Sequence, residues 1–199
     1  MTGDPLRDRP DAAVTRRSSP FEPDKHMESV FERADTFDAF LGGVVENREL
    51  WHALAKRAVV PEGVAGRAQQ LRRSWRLLVI LEDWCGDAVN TVPMLARFAA
   101  ETPSVELRVI RRDEHTALMD EHLTNGSRSI PILILLDDEY RERSCWGPRP
   151  QLLQRWFAAE GRALEKDARY REMRRWYARD GGRSTLLELI DQIERDEAA

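Results

Sequence analysis

Apolar positions along this chain switch between helical and strand spacing, and each switch marks a change of element. Phe37, Phe40, Leu41 and Val44 stand at i, i+3, i+4 and i+7, so a helix with one apolar face is expected to begin near Asp35. Gly42 and Gly43 weaken it. Leu50, Trp51 and Leu54 mark another stripe, and Pro61, Gly63 and Gly66 punctuate the stretch after it. The texture then changes. Leu77-Leu78-Val79-Ile80-Leu81 has no polar position at all, the pattern of a strand buried on both faces. Val92, Leu95, Phe98 and Ala99 return to helical spacing, and Val105, Leu107, Val109 and Ile110 form a second strand. Strand, helix, strand in this order is a βαβ unit, expected to be parallel and right-handed.

A polar helical stretch near His115–Leu123 comes next, ending at the turn Asn125-Gly126. Ile132–Leu136 is a third strand, and Asp137-Asp138-Glu139 turns it into Tyr140–Trp146; so short a link predicts an antiparallel hairpin. Gly147-Pro148 closes the hairpin, and Pro150 suits the first position of a helix buried through Leu152, Leu153, Trp156 and Phe157. Leu164–Ala178 reads as a further helix, with a break at Gly181-Gly182. A final helix is expected from Thr185, where Thr185 and Glu188 have capping-box spacing and Leu186, Leu189, Ile190 and Ile193 face inward. Pro5, Pro10, Pro20 and Pro23 lie among charged and small residues with little to bury, so residues 1–27 are expected as a disordered tail. The expected organisation is then a helical extension over 28–73, an α/β domain over 74–162, and a C-terminal helical extension over 163–199 packed on the core.

Composition narrows the function classes. The 31 basic and 35 acidic residues leave a net charge of −4, which gives no global attraction to nucleic acid or an anionic membrane. No apolar run reaches membrane-spanning length, and the first residues lack the apolar segment of a secretory signal. Two cysteines, Cys85 and Cys145, are too few for a disulfide scaffold. A soluble cytoplasmic protein is the expectation.

The chemistry concentrates in Glu82-Asp83-Trp84-Cys85-Gly86-Asp87-Ala88, where a buried strand hands over to a helix. A cysteine there meets the helix's unpaired amides and positive end, which favour the thiolate. Trp84-Cys85-Gly86, Pro93 in the following helix, Ser129-Ile130-Pro131 before the third strand and Gly147 after the hairpin together resemble the thioredoxin family. The resemblance spans roughly Leu77–Arg162 in the order β-α-β-α-β-β-α. It implies a thioredoxin-like core: a mixed central sheet, parallel βαβ plus antiparallel hairpin, flanked by helices. It also implies a cis-proline at Pro131 facing Cys85, and a groove between Trp84, Cys85 and Ile130-Pro131 in which backbone pairs with an extended substrate. The family's first strand is not apparent, and the added helices are expected to cover that sheet edge.

The departures from the family pattern bear on function. Ala88 occupies the resolving-cysteine position and Asp87 that of the proline before it, so no dithiol cycle can run within the motif. Cys145 lies in the hairpin strand, on the far side of the third strand, so a Cys85–Cys145 bond, which needs Cα atoms within about 7 Å, is not expected. Asp87 is favoured by the helix dipole but repels a thiolate, leaving Cys85 less acidic than in dithiol relatives; it could also take a proton from an incoming thiol. Asp83 does not stand at the family's buried aspartate position, which falls nearer Val79.

Other signals are expected to be structural. His115 and His122 sit amid Asp113, Glu114, Asp120 and Glu121 without an i, i+4 partner, so a solvated acidic face is expected there, with no metal site. Arg162–Arg183 mixes basic and aromatic residues, but Glu165, Asp167, Glu172 and Asp180 interrupt it. A solvated helix docked by its aromatics is expected rather than a nucleic-acid surface.

Two functions remain open. In the first, Cys85 and Asp87 carry single-cysteine exchange with a low-molecular-weight thiol or a protein mixed disulfide, released by a second small thiol. Trp84, Gly86, Ile130 and Pro131 then bind substrate, and no cofactor is needed. In the second, the same groove holds a partner protein or peptide without catalysis.

Overall fold

A computed structural model gives the fold and describes residues 14–15 and 23–198. Strand β1 (Val14–Thr15) and helix α1 (Pro23–Arg33) come first, then β2 (Asp35–Thr36), α2 (Phe37–Gly43), α3 (Arg48–Arg57) and α4 (Glu62–Ala68). The βαβ unit is β3 (Trp75–Leu81), α5 (Gly86–Glu101) and β4 (Val105–Arg111). Helix α6 (Thr116–Glu121) and β5 (Leu123–Thr124) lead to the hairpin β6 (Ile132–Leu136) and β7 (Glu142–Trp146). Helix α7 (Gln151–Ala159), a 3-10 turn at Gly161–Ala163, α8 (Lys166–Asp180) and α9 (Arg183–Ala198) complete the chain.

The larger sheet has the order β2-β4-β3-β6-β7. β3 runs parallel to β4 and antiparallel to β6, and β7 is antiparallel to β6. β3 is therefore central. Each residue from Leu77 to Leu81 is fully shielded from solvent, which is why this strand shows no alternation. Helices cover the sheet through Val92, Leu95 and Phe98 of α5 and Leu186, Leu189, Ile190 and Ile193 of α9. Among the described residues no helix is long and apolar enough to cross a membrane.

The structure departs from expectation at several element boundaries. Helix α1 starts inside the expected tail: Met27, Val30, Phe31 and Ala34 are buried at helical spacing, a stripe hidden among charges. Val14–Thr15 pairs with β5; the rest of the expected tail up to residue 22 lies outside the described residues. Helix α2 begins near Asp35, as expected, and is preceded by a strand the sequence did not show, Asp35–Thr36. This segment pairs antiparallel with Val109 and Arg108 at the β4 edge, a strand too short to leave a period-two pattern. Thr36 then caps α2, its hydroxyl accepting from the Ala39 amide at 3.1 Å.

The expected capping box is also absent. Thr185 lies buried within α9, whose first turn instead has the Ser184 amide donating to Asp180 at 3.1 Å. Glu188 is drawn away to accept from Trp146 Nε1 at 2.7 Å and the Gln151 amide at 2.8 Å. Tertiary partners outcompete the local motif.

Candidate functional site

The β3–α5 junction places Cys85 as the N-cap of α5, with extended backbone and its sulfur within 3.5 Å of the Ala88 amide. The thiol in turn donates to the Ile130 carbonyl at 3.3 Å. Ile130 and Pro131 are joined by a cis peptide, and Gly147 closes the hairpin against this segment. With φ at +130°, Gly147 is restricted to glycine on conformational grounds, and a Cβ there would stand 2.3 Å from the Pro131 carbonyl oxygen. The hairpin end thus fixes the Ile130-Pro131 backbone, which holds the Cys85 side chain.

Cys85 is buried, only 7% exposed. Burial, reinforced by the Asp87 carboxylate, pushes its thiol up to about 11, against the opposing pull of the helix amides and Arg149. Position at a helix start favours a thiolate; desolvation and the neighbouring acid prevail here.

Asp87 stands in the first turn of α5, as expected, and lies inside the protein. It is 6% exposed, ion-paired to Arg149 Nη2 at 2.7 Å, and accepts from the Tyr177 hydroxyl at 2.8 Å. Burial raises its carboxyl above the usual range, while Arg149 and Tyr177 oppose that rise. Burial and Asp87 also raise the Tyr177 phenol well above its ordinary value, so it stays protonated and donates. Arg149 is itself fixed, donating to Gln154 at 3.0 Å and lying 4.1 Å from the centre of the Phe157 ring. Sequence inspection missed both partners. Arg149 carries a weak local signal, standing between Pro148 and Pro150, whereas nothing local distinguishes Tyr177.

Trp84 is 47% exposed, with the Arg112 guanidinium 4.9 Å from its ring centre. Asp83 serves as a loop anchor: its carboxylate accepts from the Val45 and Glu46 amides, and its carbonyl accepts from Trp51 Nε1 at 2.9 Å. These bonds dock the N-terminal helices directly onto the Cys85 loop. Val79 is an ordinary core residue of β3.

A groove of about 460 Å³ opens over this junction. Trp84, Cys85, Gly86, Asp87 and Ile130 all line it; Pro131 is buried and does not. A Cβ on Gly86 would meet nothing within 4 Å, so no close approach demands glycine there. The opposite wall comes from the C-terminal region, with Phe157, Arg169, Tyr170, Met173, Arg174 and Tyr177. The sequence suggests for α8 a solvated helix docked by its aromatics. Met173 and Tyr177 do dock it, and together with Arg169, Tyr170 and Arg174 they complete the groove.

Of two side chains outside the groove, His122 differs from expectation and Cys145 agrees with it. His122 does not lie on a solvated face. It is fully buried, with Nδ1 at 2.8 Å from the Leu118 carbonyl and Nε2 at 3.2 Å from Glu142. Burial lowers its pKa, but Glu142 and the Leu118 carbonyl prevail and raise it. Cys145 lies opposite Ile134 in β7, donates to Glu142 at 3.1 Å, and forms no disulfide with Cys85. His122, Glu142 and Cys145 offer donor atoms within 4.8 Å of one another, an arrangement their mutual hydrogen bonds account for.

Comparison with known proteins fits this architecture. No curated protein matches the chain. A crystal structure of a protein of unknown function from Pseudomonas aeruginosa is similar at a TM-score of 0.67 and 21% identity, covering 86% of this chain and 98% of that one. A crystal structure of an HIV epitope-scaffold is similar at a TM-score of 0.68 and 19% identity, covering 84% of this chain and 96% of that one. At such identities these likenesses speak for the fold alone. The family model described as thioredoxin matches residues 34–179, which takes in β2 at one end and nearly all of α8 at the other. This chain therefore belongs to the thioredoxin family.

Proposed function

We propose that this protein is a thioredoxin-like binding module whose groove between Trp84 and Ile130 holds an extended peptide of a partner protein. The observation that carries this reading is the state of Cys85. Its thiol is buried, bonded to the Ile130 carbonyl and pushed up to about 11, so at neutral pH it is a protonated wall of the groove. Asp87, the nearest candidate base, is committed to Arg149 and Tyr177. Exposed Trp84 supplies an aromatic anchor of the kind that dominates binding surfaces.

Single-cysteine exchange is the second reading, and one observation favours it: the Ala88 amide points at the sulfur from the helix start, where it would stabilise a thiolate once formed. Peptides selected on the protein by phage display separate the two. Under the binding reading, Cys85→Ser retains the selected peptide and Trp84→Ala weakens it severely. Release of a mixed-disulfide thiol by the wild type, lost in Cys85→Ser, would replace that reading with exchange.

A further inference from the structure

We infer that the segment this groove takes is acidic: an extended peptide presenting carboxylates to α8 and an apolar side chain to Trp84. This rests on the binding reading and adds the chemistry of the partner.

Its basis is a local charge opposite in sign to that of the whole molecule. The chain carries a net −4, yet five arginines line the groove: Arg112, Arg128, Arg149, Arg169 and Arg174. Asp87 is the one acidic lining residue among those described, and Arg149 neutralises it at 2.7 Å. Arg112 and Arg128 already meet Asp113 at 2.9 Å and Asp120 at 2.6 Å, carboxylates that stand outside the lining. Arg169 and Arg174 have no carboxylate within ion-pair distance among the described residues. Arg169 instead lies 5.8 Å from the Phe157 ring centre and 5.7 Å from that of Tyr170. Two uncompensated cations thus face a concave surface with low-dielectric walls, which concentrates their field on whatever occupies it.

The distribution of that charge selects the class of partner. A nucleic acid presents a continuous line of phosphates and needs a run of free cations. Here Asp113 and Asp120 would oppose such a line beside Arg112 and Arg128, leaving only the α8 end attractive. A peptide can place its carboxylates at that end and an apolar side chain elsewhere. Trp84 at 47% exposed and Tyr170 at 40% exposed provide the apolar contacts, both within the lining.

The test is fluorescence anisotropy of the full chain with fluorescein-labelled peptides alternating Glu with Leu, beside the same peptides with Gln in place of Glu. The Glu peptide should bind more tightly than the Gln peptide and weaken as salt rises. The double variant Arg169→Glu, Arg174→Glu should lose at least about tenfold in affinity for the Glu peptide. Both side chains are at least partly exposed, and circular dichroism should find that variant folded. Equal, salt-insensitive binding of Glu and Gln peptides, sensitive to Trp84→Ala, would overturn the acidic assignment and leave the groove reading standing. Failure of every peptide to bind would bring down both. Displacement of the Glu peptide by an oligothymidylate at lower concentration would overturn the choice of a peptide.

Discussion

The Tyr177 hydroxyl donates to Asp87 at 2.8 Å across ninety residues of chain, joining the last turn of α8 to the first turn of α5. Both groups are buried, and Arg149 closes the cluster on the other carboxylate oxygen. The C-terminal region is thereby built into the site, which is consistent with a family match running through residue 179. A thiol beside this cluster feels a buried acid, its paired cation and a phenol together.

Tyr177→Phe removes the hydroxyl with little change of shape and leaves Asp87 with Arg149 alone. A hydrogen bond to a buried charged acceptor contributes about 1.5–3 kcal/mol, and urea denaturation should find a loss of that size. Peptide capture should weaken as well, because α8 forms the opposite wall.

Arg149→Met leaves Asp87 buried without its cation, and stability should fall by about 3–5 kcal/mol. In a Tyr177→Phe background, where no phenol is left unpaired, replacing both members, Asp87→Leu with Arg149→Met, should recover most of that loss, since an apolar pair carries no desolvation cost. A double-mutant cycle by denaturation measures the coupling directly.

Gly147→Ala probes the hairpin end. The added carbon meets the Pro131 carbonyl oxygen in a backbone region that side chains avoid, so the cost should exceed about 2 kcal/mol. Because that carbonyl lies next to the segment holding Cys85, the same variant should accelerate alkylation of the thiol.

The stability of the fold should depend on alkaline pH through Cys85. An acid raised in the folded state keeps its proton after the unfolded chain has lost it. Below the ordinary cysteine range both states are neutral and the thiol has no effect. Between that range and about 11 the unfolded state alone ionises, so stability falls with rising pH by about 1.4 kcal/mol per unit. Denaturation of Cys85→Ser across the same range should show a shallower decline.

The sequence revealed what periodicity and a compact motif can encode. The unbroken run Leu77–Leu81 marked the centre of the sheet because a strand covered on both faces has no polar position to alternate with. Trp84-Cys85-Gly86 and Ile130-Pro131 pointed to two segments that come together across the groove. The remainder depends on contacts between distant residues. Asp87 was legible as a dipole-favoured acid at the helix start but not as part of a buried cluster, because Arg149 and Tyr177 carry no local mark of pairing with it. The spacing of Thr185 and Glu188 satisfied a capping rule that tertiary packing overrode, burying the one and giving the other to Trp146 and Gln151. Asp35–Thr36 was too short a strand to leave any pattern.

The ionisation of Cys85 is the most direct test of a groove whose thiol is a wall and not a nucleophile. Alkylation by iodoacetamide, followed by mass spectrometry in a Cys145→Ser background, reports the thiolate population at each pH. The expected rate is slow at neutral pH and still rises about tenfold per unit well above 9, with a midpoint near 11. A plateau reached at or below about pH 8.5, the ordinary cysteine value, would contradict this and make Cys85 a working nucleophile.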